Sequence, residues 1–214
     1  MATVVAERCG GNPFYITALV RQAAKLGKAV SDEETLNEIL AVDLSSGFIW
    51  GELNHQVSRW IDRMNEHHIT KWVLYLSALE EEEQLNIERI QRELKELEGR
   101  NVSSEKIRDV LIRLSRGDLL EYLEFGGWFR KVKDPILLEF LKVWGNIEVE
   151  GKDQELVRDQ LVLKYRRLKR RISEYRGYLA EVHMSQVLLN AQNKTLPGVL
   201  FNNPDAVQVH LYPP

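Results

Sequence analysis

Two adjacent glycines constrain this chain more than any other pair. Gly126-Gly127 separates the β-prone run Leu119–Phe125 from Trp128–Lys133, inside a sequence whose apolar spacing is otherwise helical. Glycine accepts the positive φ of tight hairpin turns, so the two runs predict a β-hairpin. Three helices are expected before it. Thr70 to about Glu80 carries Val73, Leu76 and Leu79 on one face. The next begins near Asn86 with the stripe Ile87, Ile90, Leu94 and Leu97, and Leu85 and Ile90 have the spacing of a hydrophobic staple. The third begins at Ser103 with Ile107, Leu111 and Leu114, has Val102 and Ile107 at staple spacing, and stops at Gly117. After the hairpin, Asp134-Pro135 predicts a further helix, with Asp as N-cap and Pro at the first helical position.

Helix, helix, helix, hairpin, helix is the order of a winged helix-turn-helix domain. The flanks are helical too. Phe14 to Leu26, with Ile16, Leu19, Val20 and Ala23 at helical spacing, follows the breaker Gly10-Gly11-Asn12-Pro13. Ser31 and Glu34 predict a capping box. A third helix is expected from about Ser46 to His67, with Ile49, Trp50, Leu53, Val57, Trp60 and Ile61 as its stripe. From about Asp153 the pattern predicts one long helix or two in line. Leu161, Tyr165, Leu168, Ile172, Tyr175 and Leu179 make a heptad-like stripe, and Gly177 is a candidate break. After Asn190 a loop leads to a strand in which Val207, Val209 and Leu211 alternate, before Pro213-Pro214. That strand has no partner in sequence and reads as the opening of a truncated domain. The expected fold class is mainly α: a helical subdomain over 1–67, a winged helix over 68–150, and a long basic helix leading into a further domain over 151–214.

An apolar fraction of 44% and a charged fraction of 29% allow a real core. No run approaches eighteen apolar residues, which excludes a membrane-spanning helix. The first residues lack the basic flank and apolar stretch of a signal peptide. The lone Cys9 excludes an intramolecular disulfide and a cysteine-based zinc site. A cytoplasmic chain is expected. The net charge of −3 conceals segregation. Between residues 161 and 176, seven Lys and Arg face one Glu174, a local +6 that leaves −9 for the rest.

Cys9-Gly10-Gly11-Asn12-Pro13-Phe14-Tyr15-Ile16 resembles a segment in the small helical lid of prokaryotic AAA-like and STAND-type ATPases. The stretch from Phe129 to Phe140, containing Lys133-Asp134-Pro135-Ile136-Leu137-Leu138-Glu139, resembles a second signature of the archaeal-type ATPase family, at the end of the wing. The two occur in the family's order and cover roughly residues 7–145. The resemblance implies a three-helix lid followed by a winged helix, with ATP and Mg²⁺ bound by a P-loop core upstream. This sequence has no such core: Gly27-Lys28 and Gly151-Lys152 are followed by Ala29 and Asp153, where Mg²⁺ binding needs Ser or Thr. The chain is therefore expected to be the C-terminal part of such an ATPase, holding no cofactor and hydrolysing no ATP by itself. Arg176-Gly177-Tyr178-Leu179-Ala180-Glu181 resembles the first helix of a restriction-nuclease-like fold, with Glu181 in the metal-binding position. One carboxylate does not hold a catalytic metal.

The candidate site residues have plain readings beside functional ones. By the resemblance, Gly11, Asn12 and Pro13 would contact nucleotide in the parent ATPase; they also make an ordinary helix start. Lys106, Arg108, Arg113 and Arg116 on the third helix, with Arg130, Lys131 and Lys133 on the wing, are candidates for DNA phosphates. Glu105, Asp109, Asp118 and the run Glu80 to Glu83 oppose that role, and winged helices also dock proteins. Lys164, Arg166, Arg167, Lys169, Arg170 and Arg171 form either a phosphate-binding strip or a solvated face. His67 and His68 point about 100° apart on a helix and do not chelate together. Three functions stay open: an arm coupling nucleotide state to DNA, a protein-interaction or self-associating scaffold, and a linker to a nuclease domain.

Overall fold

The computed structural model describes residues 1–64, 68–99, 101–202, 205–208 and 210, without the side chains of 200, 201 and 207. Expectations for His67, Val209, Leu211, Pro213 and Pro214 lie outside the described residues. The fold is mainly helical with small two-stranded antiparallel sheets. Two compact units divide it, residues 1–163 and the segment from Lys164 onward.

The first unit opens with four helices: α1 (Ala2–Arg8), α2 (Pro13–Leu26), α3 (Glu33–Ser46) and α4 (Phe48–Met64). The sequence reading missed α1, which is short and buries none of its residues. Asn12 caps α2 by accepting from Phe14 N at 2.9 Å, and Gly27 ends it with φ 63°. The capping box placed at Ser31 is corrected. Asp32 is the cap and accepts from Thr35 N at 2.8 Å, while the Ser31 hydroxyl donates to Asp32 Oδ2. A carboxylate is the better acceptor at a positive helix end. Ser46 ends α3 rather than opening α4, because Gly47 leaves helical geometry (φ −96°, ψ −152°) at a corner with no space for a side chain. A Cβ there would lie 2.1 Å from Asp43 Oδ1 and 2.6 Å from Asp43 Cα.

Asp43 is fully buried and accepts from Ile49 N at 3.1 Å across that corner. Its Oδ2 is buried without a hydrogen-bond partner among the described residues. Burial pushes its carboxyl above the ordinary value, opposed by the Ile49 and Phe48 N–H groups and the charge of Lys25. A raised folded pKa means that this group stabilises fully below the unfolded value, and that the contribution is lost as pH rises through the folded one. Asp43→Asn keeps the acceptor and removes the buried charge. Thermal unfolding should show the variant more stable by about 1 kcal/mol at neutral pH, with the gain shrinking as the buffer is acidified. A gain that grows on acidification would refute the assignment.

Next come α5 (Thr70–Leu79), α6 (Ile87–Glu98), α7 (Ser104–Ser115), β1 (Glu121–Leu123), β2 (Trp128–Arg130) and α8 (Pro135–Glu148). The helix-start signals hold, whereas the left-handed residue after α7 is Asp118 (φ 56°) and not Gly117. Asn86, Ser103 and Asp134 cap α6, α7 and α8, and the staple residues Leu85, Ile90, Val102 and Ile107 are buried. β1 and β2 pair Glu121 with Arg130, Tyr122 with Phe129 and Leu123 with Trp128, around a turn at Gly126 (φ 105°) and Gly127 (φ 67°). The segment before α6 also joins the hairpin: Gln84 bridges Arg130, and Leu85 N donates to Phe129 O at 2.9 Å.

α5 is buried on more than the one face its spacing suggested. Val73, Leu74, Tyr75 and Leu76 are all inside, while Leu79 is 39% exposed. α8 packs along it and reaches back to α3 and α4. Trp144, nearly inaccessible, donates from Nε1 to Asn54 Oδ1 at 3.1 Å, and Phe140 meets Trp50 at 5.6 Å between ring centroids. The early helices and the hairpin region thus share one core built around α8.

α9 (Gln154–Asn190) is continuous, capped by Asp153 Oδ1, which accepts from Glu155 N and Leu156 N. Gly177 does not break it; a single helical glycine costs about 1 kcal/mol, which a helix of this length absorbs. Within the second unit, β3 (Thr195–Leu196) pairs antiparallel with β4 (Val207–Gln208). The terminal strand, read as partnerless, therefore has a partner.

Candidate functional site

The two segments that carried the family resemblance meet. Tyr15 Oη donates to Asp134 Oδ2 at 2.8 Å, across 119 residues of sequence. The other oxygen, Oδ1, accepts from Ile136 N at 2.9 Å and Leu137 N at 3.0 Å, so one carboxylate both caps α8 and holds α2. Burial, then Asp134, pushes the Tyr15 phenol well above its ordinary range. Cys9 is buried beside them, and burial raises its thiol too. A Cβ on Gly10 would touch Pro135 Cδ at 3.7 Å. No spacing rule links Tyr15 to Asp134, and only the assembled fold reveals the pair.

Gly11 and Pro13 are exposed at this end of the unit and Asn12 half-buried. Asn12 Oδ1 is already engaged by the helix start. The Pro13 ring is thus left open at the start of α2.

The basic candidates divide. Lys106, Arg108 and Arg116 are exposed on and just after α7. Arg108 Nη1 donates to Gly127 O at 3.2 Å and its guanidinium lies 6.0 Å from the Phe129 ring centroid, tying α7 to the hairpin turn. Arg113 pairs with Asp109 at 3.1 Å. The hairpin cations are engaged at its base. Arg130 pairs with Glu121 and lies 3.9 Å from Glu83. Lys131 Nζ donates to Glu80 O at 2.7 Å and Glu81 O at 3.0 Å, and Lys133 lies 3.8 Å from Glu121. Glu80 in turn accepts from Arg89 at 2.6 Å. The acidic run Glu80 to Glu83 is therefore a structural partner of the hairpin, through its backbone carbonyls to Lys131 and the Glu83 carboxylate beside Arg130.

In the second unit, Lys164, Arg166, Arg167, Lys169, Arg170 and Arg171 are all exposed on α9. An open concavity of about 490 Å³ is lined there by Lys164, Arg167, Leu168, Arg170, Arg171 and Glu174. Arg170 Nε donates to Glu174 at 2.9 Å, which holds the guanidinium charged. Glu181 is exposed, with its backbone carbonyl accepting from Ser185. Among the described residues no group of three His, Cys, Asp or Glu is placed to hold a metal ion, and no helix is long and apolar enough to cross a membrane. Comparison with family models, curated proteins and solved structures gives no match to this chain.

Proposed function

We propose that the chain is the regulatory C-terminal region of an AAA/STAND-type ATPase. In this reading, residues 1–67 act as a helical lid, 68–150 as a winged helix-turn-helix, and the basic start of α9 as a strip for nucleic-acid phosphates. The observation that carries it is the Tyr15–Asp134 contact, which joins the two family-like segments inside one core. A lid displaced by nucleotide binding in a P-loop core would carry the winged helix with it as a rigid body. Such a ligand drives the motion only by favouring one lid position over another.

In this reading nucleic-acid contact falls to the α9 strip and to the exposed Lys106 and Arg116, since Arg130, Lys131, Lys133 and Arg108 are held by contacts with other elements of the fold. Recognition by such a strip is through phosphates and weakly dependent on sequence. The test is fluorescence anisotropy of a labelled DNA duplex over a salt series. Binding at low salt should weaken by at least about tenfold in the Arg167→Glu/Arg170→Glu/Arg171→Glu variant, with the log–log salt slope falling by about 3. Lys133→Glu should change little. No binding by the parent chain at low salt, or equal losses in both variants, overturns the assignment to α9.

A further inference from the structure

The apolar stripe of α9 keeps its heptad register far beyond the basic segment, and its outer part is uncovered. Taking Leu168 as d, the core positions run Leu168, Ile172, Tyr175, Leu179, Val182, Gln186 and Leu189. The apolar members are between 36% and 70% exposed. Earlier in the same register, Leu161 and Tyr165 are buried. A continuous helix therefore presents three heptads of exposed a and d side chains with one polar a position, the sequence form of a coiled-coil seam.

We infer that this seam is occupied by a second copy of the chain, as an antiparallel two-helix coiled coil. Charge at the flanking e and g positions decides both partner and direction. A parallel pair would set Lys164 against Lys169 of the second copy and Arg171 against Arg176, each twice by symmetry. Like charges facing each other destabilise. In the antiparallel arrangement centred at residue 177, Ile172 meets Val182, Tyr175 meets Leu179, and Leu168 meets Gln186. Lys169 then faces His183 and Arg171 faces Ser185, with Arg176 meeting its own copy as the one remaining like-charge contact. The basic half of each helix lies against the weakly charged half of the other, so the segment is complementary to itself. Arg166, Arg167 and Arg170 occupy b, c and f positions and stay outside the seam. The inference therefore does not depend on nucleic-acid binding.

The test is sedimentation equilibrium of the full chain from micromolar to hundreds of micromolar, with no nucleic acid present. The expected result is a reversible rise from 24.9 kDa to twice that mass. Ile172→Glu/Leu179→Glu should remain at the monomer mass with helical circular dichroism retained, while Ser173→Glu/Ala180→Glu, on the b positions, should still dimerise. Direction is read by disulfide trapping in a Cys9→Ser background. A mixture of Leu168→Cys and Gln186→Cys chains should trap the mixed pair, and neither chain should trap itself. A wild-type monomer throughout, or a dimer that survives Ile172→Glu/Leu179→Glu, overturns the seam. Self-trapping at Leu168→Cys overturns the antiparallel direction.

Discussion

Gly145→Ala is expected to destabilise the chain by about 3 kcal/mol, whereas the same exchange in an unobstructed helix stabilises by about 1 kcal/mol. The sign reverses because α8 approaches α5 through this glycine. A Cβ at 145 would lie 1.8 Å from Tyr75 Cδ2, with two more ring carbons within 2.5 Å. The ring has little freedom to retreat. Tyr75 is 2% exposed and its hydroxyl donates to Glu150 Oε1 at 3.0 Å. Burial and that bond also hold its phenol above the ordinary pKa, so it stays a donor. For a unit of this size the loss corresponds to a fall of roughly 6–12 °C in the unfolding midpoint. Tyr75→Leu in the Gly145→Ala background should recover part of it, because the smaller side chain vacates the methyl's position. An unchanged or higher midpoint in Gly145→Ala would mean that α5 and α8 do not pack as described.

The sequence made local features legible and left most partnerships hidden. Asn12, Asn86, Ser103 and Asp134 cap helices where their residue types predicted, because a cap needs only its own backbone neighbours. Gly126-Gly127 marked the hairpin for the same reason. Ser31 misled because Asp32 beside it offers the stronger acceptor, and Gly177 misled because glycine weakens a helix without ending it. The heptad stripe was readable as a period, but the uncovering of its outer part at Leu168 required the fold. The basic candidates show the limit most clearly. Arg130 and Lys131 look like phosphate ligands in sequence, yet Glu121 and the carbonyls of Glu80 and Glu81 claim them through contacts up to 51 residues away. The strip on α9 lies exposed along a single helix, where a period along the chain is readable, with Arg170 and Glu174 paired one turn apart.

Asp134→Ala should have the other large effect, about 3 kcal/mol, assembled from distinguishable parts. The α8 N-cap is worth about 1 kcal/mol, and a buried donor left without its acceptor adds about 1–3 kcal/mol. Here the abandoned donor is Tyr15 Oη, in a side chain only 4% exposed. Tyr15→Phe removes the hydrogen bond but leaves the cap intact, since Asp134 Oδ1 keeps both amide donors. Its cost should be smaller, about 1.5 kcal/mol. Denaturant unfolding of both single variants and the double variant isolates the coupling. About 1–2 kcal/mol is expected, because the double variant no longer contains the stranded hydroxyl. The coupling also tests the functional proposal. A lid drives a winged helix as one body only if displacing α2 strains the start of α8. Coupling near zero would leave Tyr15 and Asp134 as neighbours that do not depend on each other. The early helices would then have to act on α8 through Trp50, Asn54 and their contacts with Phe140 and Trp144 alone.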